Sequence, residues 1–352
     1  MLSLGILNGD DIGHEIVPET IRVMKAAATS TGLEIAWTEL PIGRKAFDDL
    51  GTTMPDDTLE RLSALDGWVL GPIGHQAYPK HPKAINPHPI LRKHFDLFAN
   101  IRPARSYTNL PSVHQDVDLV IVRENNEGFQ PDRNVVAGSG EFRPSEDMTI
   151  SVRVITRNGS SKVARAAFEL ARERRKALTA VHKDTVFKLG CGMFAEECRK
   201  IAVEFPDVAY SEMMVDTFAM RLAMQPQRFD VVVTTNMFGD ILSDEAAGLV
   251  GGLGLAPGLC VGHRWGMAQA THGSAPDIAG RGIANPYAMI VSGQMLLTWL
   301  GRQKGEPRAT AAAEKIKAAV EQVLQDRTLL TPDLGGQGST ASMAGRIVDA
   351  LP

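Results

Sequence analysis

Two aspartates stand four residues apart in Asn236-Met-Phe-Gly-Asp240-Ile-Leu-Ser-Asp244. On a helix that spacing puts both carboxylates on one face, one turn apart. Two converging carboxylates are a donor set for a hard cation such as Mg²⁺ or Mn²⁺. The preceding run, Val231-Val-Val-Thr-Thr235, reads as a buried strand, and ligands of open α/β sheets bind beyond the carboxyl ends of strands. Taken alone, the pair reads equally well as a helix cap and a solvated carboxylate. Three arginines add an anion-binding chemistry: Arg92 and Arg102 in Leu91-Arg-Lys-His-Phe-Asp-Leu-Phe-Ala-Asn-Ile-Arg-Pro103, and Arg123 in Val120-Ile-Val-Arg-Glu-Asn-Asn-Glu-Gly128. A guanidinium fork matches a carboxylate bidentately, so three suit a di- or tricarboxylate, although any one could be a surface ion pair. Lys183, in Ala180-Val-His-Lys-Asp-Thr185, follows a short apolar run. A partly buried lysine can act as a base near neutrality, whereas an exposed one has no such role.

A fourth constellation is Thr271-His-Gly-Ser-Ala-Pro-Asp-Ile-Ala-Gly280, followed by Ile283-Ala-Asn285-Pro. Its small residues leave backbone N–H groups open to a phosphate, and Asp277 suits a ribose diol. A carboxylate there repels a 2′-phosphate, which favours NAD over NADP; otherwise the tract is a glycine-rich connection. Gly190-Cys-Gly192-Met-Phe-Ala195 fits G-x-G-x-x-A by letter, with Glu212 about 20 residues on, but no good strand precedes it. Gly336-Gln-Gly338 follows Pro332-Asp-Leu-Gly335 and fails likewise. The chain therefore has no convincing Rossmann fingerprint. Nine His and three Cys (Cys191, Cys198, Cys260) show no zinc spacing and no disulfide framework.

The elements that must position these residues alternate between strand and helix. Leu2–Leu7, Trp68–Leu70, Leu119–Val122 and Phe229–Thr234 read as buried strands. Helices are expected from about His14 to Thr31, from Ser160, as cap, to Lys176, and from Ala312 to Leu324. Such alternation is the pattern of an α/β protein with much parallel sheet. Thr149–Val154 alternates polar and apolar and is expected to form a half-buried antiparallel strand. The 352 residues allow one or two domains, and 37 basic against 41 acidic side chains give a net charge of −4. That balance leaves no footprint for nucleic acid or an anionic membrane. No run approaches the ~20 apolar residues of a spanning helix. The start, MLSLGILNGDD, lacks the basic flank of a signal peptide, so a cytoplasmic enzyme of small molecules is expected.

In order and together, these motifs resemble one family, the metal-dependent β-decarboxylating dehydrogenases of isocitrate, isopropylmalate, homoisocitrate and tartrate or D-malate. The resemblance runs from Asn8-Gly-Asp-Asp-Ile12-Gly13 to Asp333-Leu-Gly-Gly336. It implies a two-domain α/β fold that is not a Rossmann fold. Residues 1–98 with 251–352 would form a discontinuous NAD-binding domain. Residues 99–250 would form a dimerisation domain with a β arm near 128–155, giving a homodimer. By the same resemblance Arg92, Arg102 and Arg123 hold substrate carboxylates, with His88 nearby. Asp240 and Asp244, joined by Asp216 across the dimer interface, bind Mg²⁺ or Mn²⁺. Lys183, with Asp216, serves proton transfer at the C2 hydroxyl. Ile12, His272, Gly273, Ser274, Ala275, Asp277 and Asn285 hold NAD. Hydride leaves C2 for NAD⁺, and the β-keto acid then loses CO₂.

Four positions depart from the family. Gln130 stands where a tyrosine acid is usual, Thr185 where an asparagine is usual, Gln269 where isopropylmalate enzymes have Glu, and Asp11 where the first loop has Gly. His88 and Pro89 replace a leucine pair that packs an isopropyl group, and with Asn86 they imply a polar or carboxylated substituent at C3. The expected activity is oxidation, with decarboxylation, of a 3-substituted malate-type acid. Tartrate, D-malate or homoisocitrate are alternative substrates. Gln130 and Thr185 leave open a catalytically weak regulatory paralogue.

Overall fold

The computed structural model describes residues 1–129 and 140–352. The chain forms two compact units, one of Met1–Phe95, Tyr107–Ser112 and Gly251–Pro352, the other of Asp96–Ser106 and Val113–Val250. Among the described residues no helix is long and apolar enough to cross a membrane.

The first unit is built on β1 (Leu2–Leu7), β2 (Ile35–Glu39), β3 (Gly67–Leu70), β11 (Leu259–Val261) and β12 (Gly266–Ala268). They lie in the order β2-β1-β3-β12-β11, parallel except for the β11–β12 pair. β1 and β3 are almost wholly buried, which is why they read as continuous apolar runs rather than alternating ones. Helix α1 (Gly13–Thr31) buries the stripe Ile16, Val17, Ile21, Met24 and Ala28. Pro18 sits in its second turn. Helices α2 (Gly43–Leu50), α3 (Thr58–Ser63) and α4 (Pro87–His94) follow, and α9 (Tyr287–Lys304), α10 (Pro307–Val323) and α11 (Thr340–Asp349) complete the unit. In the numbering used here α5–α8 belong to the second unit.

That second unit holds β4 (Ala99–Arg105), β5 (Asp118–Glu124), β8 (Ala177–His182), β9 (Ala209–Met214) and β10 (Val231–Thr234), in the order β4-β5-β10-β8-β9. Only the β4–β5 pair is antiparallel. Helices α5 (Arg157–Arg172), α6 (Gly190–Ala202), α7 (Val215–Met224) and α8 (Asn236–Val250) connect or follow these strands. Its core packs Leu119 and Ile121 of β5 and Val232 of β10 against Phe218, Leu242 and Ala246 of the helices. Hairpin β6 (Glu141–Ser145) and β7 (Met148–Ser151) stands apart as a two-stranded antiparallel ribbon.

Several expectations shift. Helix α5 begins at Arg157 rather than Ser160, because Thr156 is the cap: its Oγ1 accepts from Gly159 N at 3.0 Å. It ends at Arg172 rather than Lys176, because Lys176 turns into the left-handed region at φ 58°. Helix α10 starts five residues before Ala312, since Glu306 caps it and Pro307 fits the first turn. The strand expected over 149–154 is β7, shorter and exposed along its length. Pro144 in β6 has no N–H to donate, and the ladder shifts register between Phe142 and Ser145. Val154 instead bridges to Gly128. Gly190 and Gly192 lie inside the first turn of α6, seven residues beyond β8, so no phosphate-binding turn forms there.

The Thr156 cap is also held by Glu127, whose carboxylate accepts from both its N–H and its hydroxyl. Thr156→Val is expected to cost about 1–2 kcal/mol in urea unfolding and Ser160→Ala less than about 0.5 kcal/mol. Equal losses would place the cap elsewhere.

Candidate active site

In the second unit the ends of β5 and β10 meet the start of α8. Arg123, on β5, and Arg102, on β4, keep their guanidinium groups buried, at 4% and 7% exposure. Both converge on Asp240. Arg102 Nη1 donates to Asp240 Oδ1 at 2.9 Å and to Ser243 Oγ at 2.8 Å, and Arg123 Nη1 donates to the same Oδ1. Arg123 Nη2 donates to Asn236 Oδ1 at 2.6 Å. Asp244 lies one turn on, its Oδ1 3.9 Å from Arg102 Nη1. Partial burial raises its pKa, Arg102 opposes this, and the Asp240 charge adds to it. The two carboxylates remain about half exposed while the arginines do not. This arrangement offers buried cations for an incoming carboxylate and exposed oxygens for a cation.

The close approach of α8 to Arg123 depends on Gly239. A Cβ there would lie 2.7 Å from both Cβ and Cγ of Arg123. Behind the arginine stands Glu124, buried, whose carboxylate accepts from Asn126 N at 2.6 Å and Glu127 N at 2.8 Å. Asn236 Nδ2 reaches it at 3.5 Å. Burial pushes the Glu124 carboxyl up to about 7, while those backbone donors pull it back. Asn236, Ser243 and Glu124 were given no role from sequence. The signal available was a polar residue closing the apolar run Val120-Ile-Val122.

Lys183 closes β8 and pairs with Asp216, at the start of α7, with Nζ to Oδ2 2.7 Å. That hydrogen bond holds the Asp216 carboxyl below its usual range. Within the chain Asp216 is therefore the lysine's partner. Among the described residues no three His, Cys, Asp or Glu side chains stand together as a metal set. Thr185 is exposed, its hydroxyl 3.9 Å from Met214 Sδ. Gln130 lies outside the described residues.

In the first unit Gln269, buried beyond β12, joins two expected site residues. Its Oε1 accepts from Arg92 Nη2 at 3.1 Å, and its Nε2 donates to His88 Nε2. With the amide donating, His88 Nε2 is the acceptor of this contact. A Glu at 269 would instead favour the imidazolium. Asn86 is absorbed locally: its Oδ1 accepts from His88 N at 3.1 Å and caps α4, with both prolines in the first turn.

The 271–280 tract is tied to the first loop through Ile12 N, which donates to Ser274 O at 3.2 Å, and through Gly280 N, which donates to Glu15 Oε1. Asp11 adopts φ 47°, a left-handed conformation that glycine takes freely and aspartate tolerates better than most residues. That is the physical sense of a glycine at this position. Asp10, not singled out from sequence, anchors the loop: its buried carboxylate accepts from Arg44 N at 2.6 Å, Gly74 N at 2.7 Å and Tyr78 OH at 2.6 Å. Burial and that carboxylate drive the Tyr78 phenol far above its usual pKa.

His272 Nδ1 faces Gly273 O at 2.9 Å and so donates to it. Burial lowers the ring's pKa, and Nε2 is buried without a hydrogen-bond partner, leaving an acceptor unfilled. Asp277 is exposed and Ser274 buried; Ala275 is left-handed at φ 45°. Asn285 caps Tyr287 N at 2.9 Å through Oδ1 and donates to Asp333 at 2.9 Å, keeping one N–H in reserve.

The sequence model of the isocitrate/isopropylmalate dehydrogenase family matches residues 3–348. The chain belongs to this family. Its members are oxidoreductases acting on a CH–OH group, typically with NAD(P) and Mg²⁺ or Mn²⁺. The chain is 41% identical over 347 residues to an isocitrate/homoisocitrate dehydrogenase of Thermus thermophilus, covering 98% of this chain and 97% of that protein. It is 40% identical over 352 residues to a 3-isopropylmalate/3-methylmalate dehydrogenase of Methanocaldococcus jannaschii, covering 99% and 98%. The crystal structure of isocitrate dehydrogenase from Methylococcus capsulatus matches with TM-score 0.87 and 40% identity, over 100% of this chain and 99% of that one. The fold class read from strand–helix alternation is thus the family's mixed α/β fold. Membership makes the chain an oxidoreductase acting on a CH–OH group.

Two outcomes follow from the geometry. Gly239→Ala is expected to cost about 1–3 kcal/mol by overpacking and to lower oxidation of a hydroxy acid at least tenfold, measured as kcat/KM. An unchanged kcat/KM would show that the α8–Arg123 approach is unimportant. The unfolded chain ionises Glu124 near its ordinary 4.5 and the folded chain near 7, so the folded state binds the extra proton between those values. Stability from this group is therefore full below pH 4.5 and falls by up to about 3 kcal/mol as pH rises through 7. Urea unfolding at pH 5 and pH 8 should show a smaller decline for Glu124→Gln than for the parent chain. Parallel declines would rule the group out.

Proposed function

We propose that this chain oxidises a malate-type 2-hydroxy acid bearing a polar or carboxylated substituent at C3, with NAD⁺ as hydride acceptor, and that decarboxylation follows. The observation that carries the reading is the pair of buried guanidinium groups, Arg102 and Arg123, converging on a half-exposed carboxylate. Substrate carboxylates can take up those N–H donors as Asp240 turns to a cation. Arg92, oriented by Gln269, serves a further carboxylate. His88 supplies a polar contact where an isopropyl group would need an apolar one. The relatives' names, isocitrate/homoisocitrate dehydrogenase on one side and 3-isopropylmalate/3-methylmalate dehydrogenase on the other, bracket this choice.

Asp240 and Asp244 suit Mg²⁺ or Mn²⁺ by donor type and one-turn spacing, and Asp216 of the partner subunit would complete the set in a homodimer. When bound, the cation would supply charge stabilisation at the substrate oxygen, and NAD⁺ would supply the acceptor for a hydride from C2. Lys183, its Nζ fixed by Asp216, is the group for proton transfer at the C2 hydroxyl. As the carboxylate leaves C3, the electron pair of the broken C–C bond passes into the enolate, which is then protonated at carbon. His272 offers its unfilled acceptor Nε2 to an adenine amine, Asn285 its spare N–H, and Asp277 a carboxylate to a ribose diol.

A panel of isocitrate, homoisocitrate, isopropylmalate, D-malate and tartrate, assayed with Mn²⁺ for NADH and CO₂ in parallel, tests this reading. The tricarboxylates are expected to exceed isopropylmalate at least tenfold in kcat/KM, and NAD to exceed NADP at least tenfold. Asp240→Asn should lower turnover at least a hundredfold. Preference for isopropylmalate would sink the His88 argument, and equal use of NADP the Asp277 argument.

A further inference from the structure

Arg153 lies in the second unit, between the β6–β7 hairpin and α5, and no function above uses it. Its guanidinium stands over three rings drawn from three segments, Phe187 at 4.8 Å, Phe238 at 5.5 Å and Phe129 at 5.7 Å. Its Nη2 donates to Thr235 Oγ1 at 3.1 Å and its Nη1 to Cys191 Sγ at 3.4 Å. Among the described residues it forms no ion pair. Its charge is met by ring faces and its N–H edges by neutral acceptors.

Each of these contacts borders a candidate site residue. Phe187 N donates to Lys183 O at 2.9 Å, closing the tight turn that carries the lysine. Phe238 precedes Asp240 by two residues on α8, and buried Thr235 precedes Asn236. Phe129 follows Gly128, which pairs with Val154 next to Arg153 itself. One planar cation thus touches the Lys183 turn, the first turn of α8 and the loop after Arg123. Val186 is 64% and Phe187 38% exposed beside an open pocket of about 530 Å³ that Arg153 lines, so Arg153 covers part of the turn's apolar face.

We infer that Arg153 is a positioning residue that fixes the Lys183 turn against the start of α8, and so sets where the lysine amine stands. The inference rests on the role proposed above for Lys183. A planar guanidinium can stack on rings and donate at its edge at the same time, whereas an ammonium is a point charge. Arg153→Lys should therefore restore only part of the effect.

The test compares the parent chain, Arg153→Met and Arg153→Lys. The first readout is the rate of trinitrobenzenesulfonate labelling of Lys183, mapped by mass spectrometry against Lys25 as internal control, which needs no substrate. Lys183 is expected to label at least fivefold faster in Arg153→Met and at least twofold faster in Arg153→Lys. The second readout is kcat and KM for the best acid of the panel. Arg153→Met should lose at least tenfold in kcat with KM within threefold, and Arg153→Lys should fall between it and the parent. Unchanged Lys183 labelling in both variants overturns the inference, whatever kcat does. If Arg153→Met fails to fold, Arg153→Lys decides by the same labelling. If the parent oxidises no acid of the panel, the proposed function fails, while the labelling still decides the role of Arg153.

Discussion

The second unit is organised around two guanidinium groups that are taken out of water and must be paid for by close partners. Burying a charge without compensation costs several kcal/mol, so Arg102 and Arg123 need acceptors wherever they point. Asp240, Asn236 and Ser243 supply them, all from the first two turns of α8. This dictates a helix that starts at Asn236, a glycine at 239 to let the backbone come close, and a buried Glu124 behind the amide of Asn236. The half-exposure of Asp240 and Asp244 follows from the same geometry, since the arginines occupy the inner side.

The first unit solves a different problem with the same physics. Buried polar side chains pin several of its loops. Asp10 gathers two backbone N–H groups and a phenol, and Gln269 takes Arg92 with one end of its amide and His88 with the other. A buried amide thus uses its acceptor on the arginine and its donor on the histidine.

Family membership and local geometry address different levels of the question. The family establishes a dehydrogenase of hydroxy acids, and relatives near 40% identity carry different substrate names. Among the described residues Asp216 pairs with Lys183, and no third His, Cys, Asp or Glu joins Asp240 and Asp244.

The sequence by itself determined the alternation of strands and helices and hence the α/β class, because buried parallel strands must be apolar throughout and their helices amphipathic. It also showed the one-turn spacing of Asp240 and Asp244, which is a property of helical geometry. Tertiary structure alone decided the rest. Thr156, not Ser160, caps α5, because the cap is chosen by where Glu127 stands. The 149–154 alternation formed a shorter, exposed strand, since periodicity shows that a strand has two faces but not what covers them. Arg92 meets Gln269 from 177 residues away, Asn236 reaches Glu124 from 112 and Thr235 meets Arg153 from 82, and no local pattern encodes contacts at such separations.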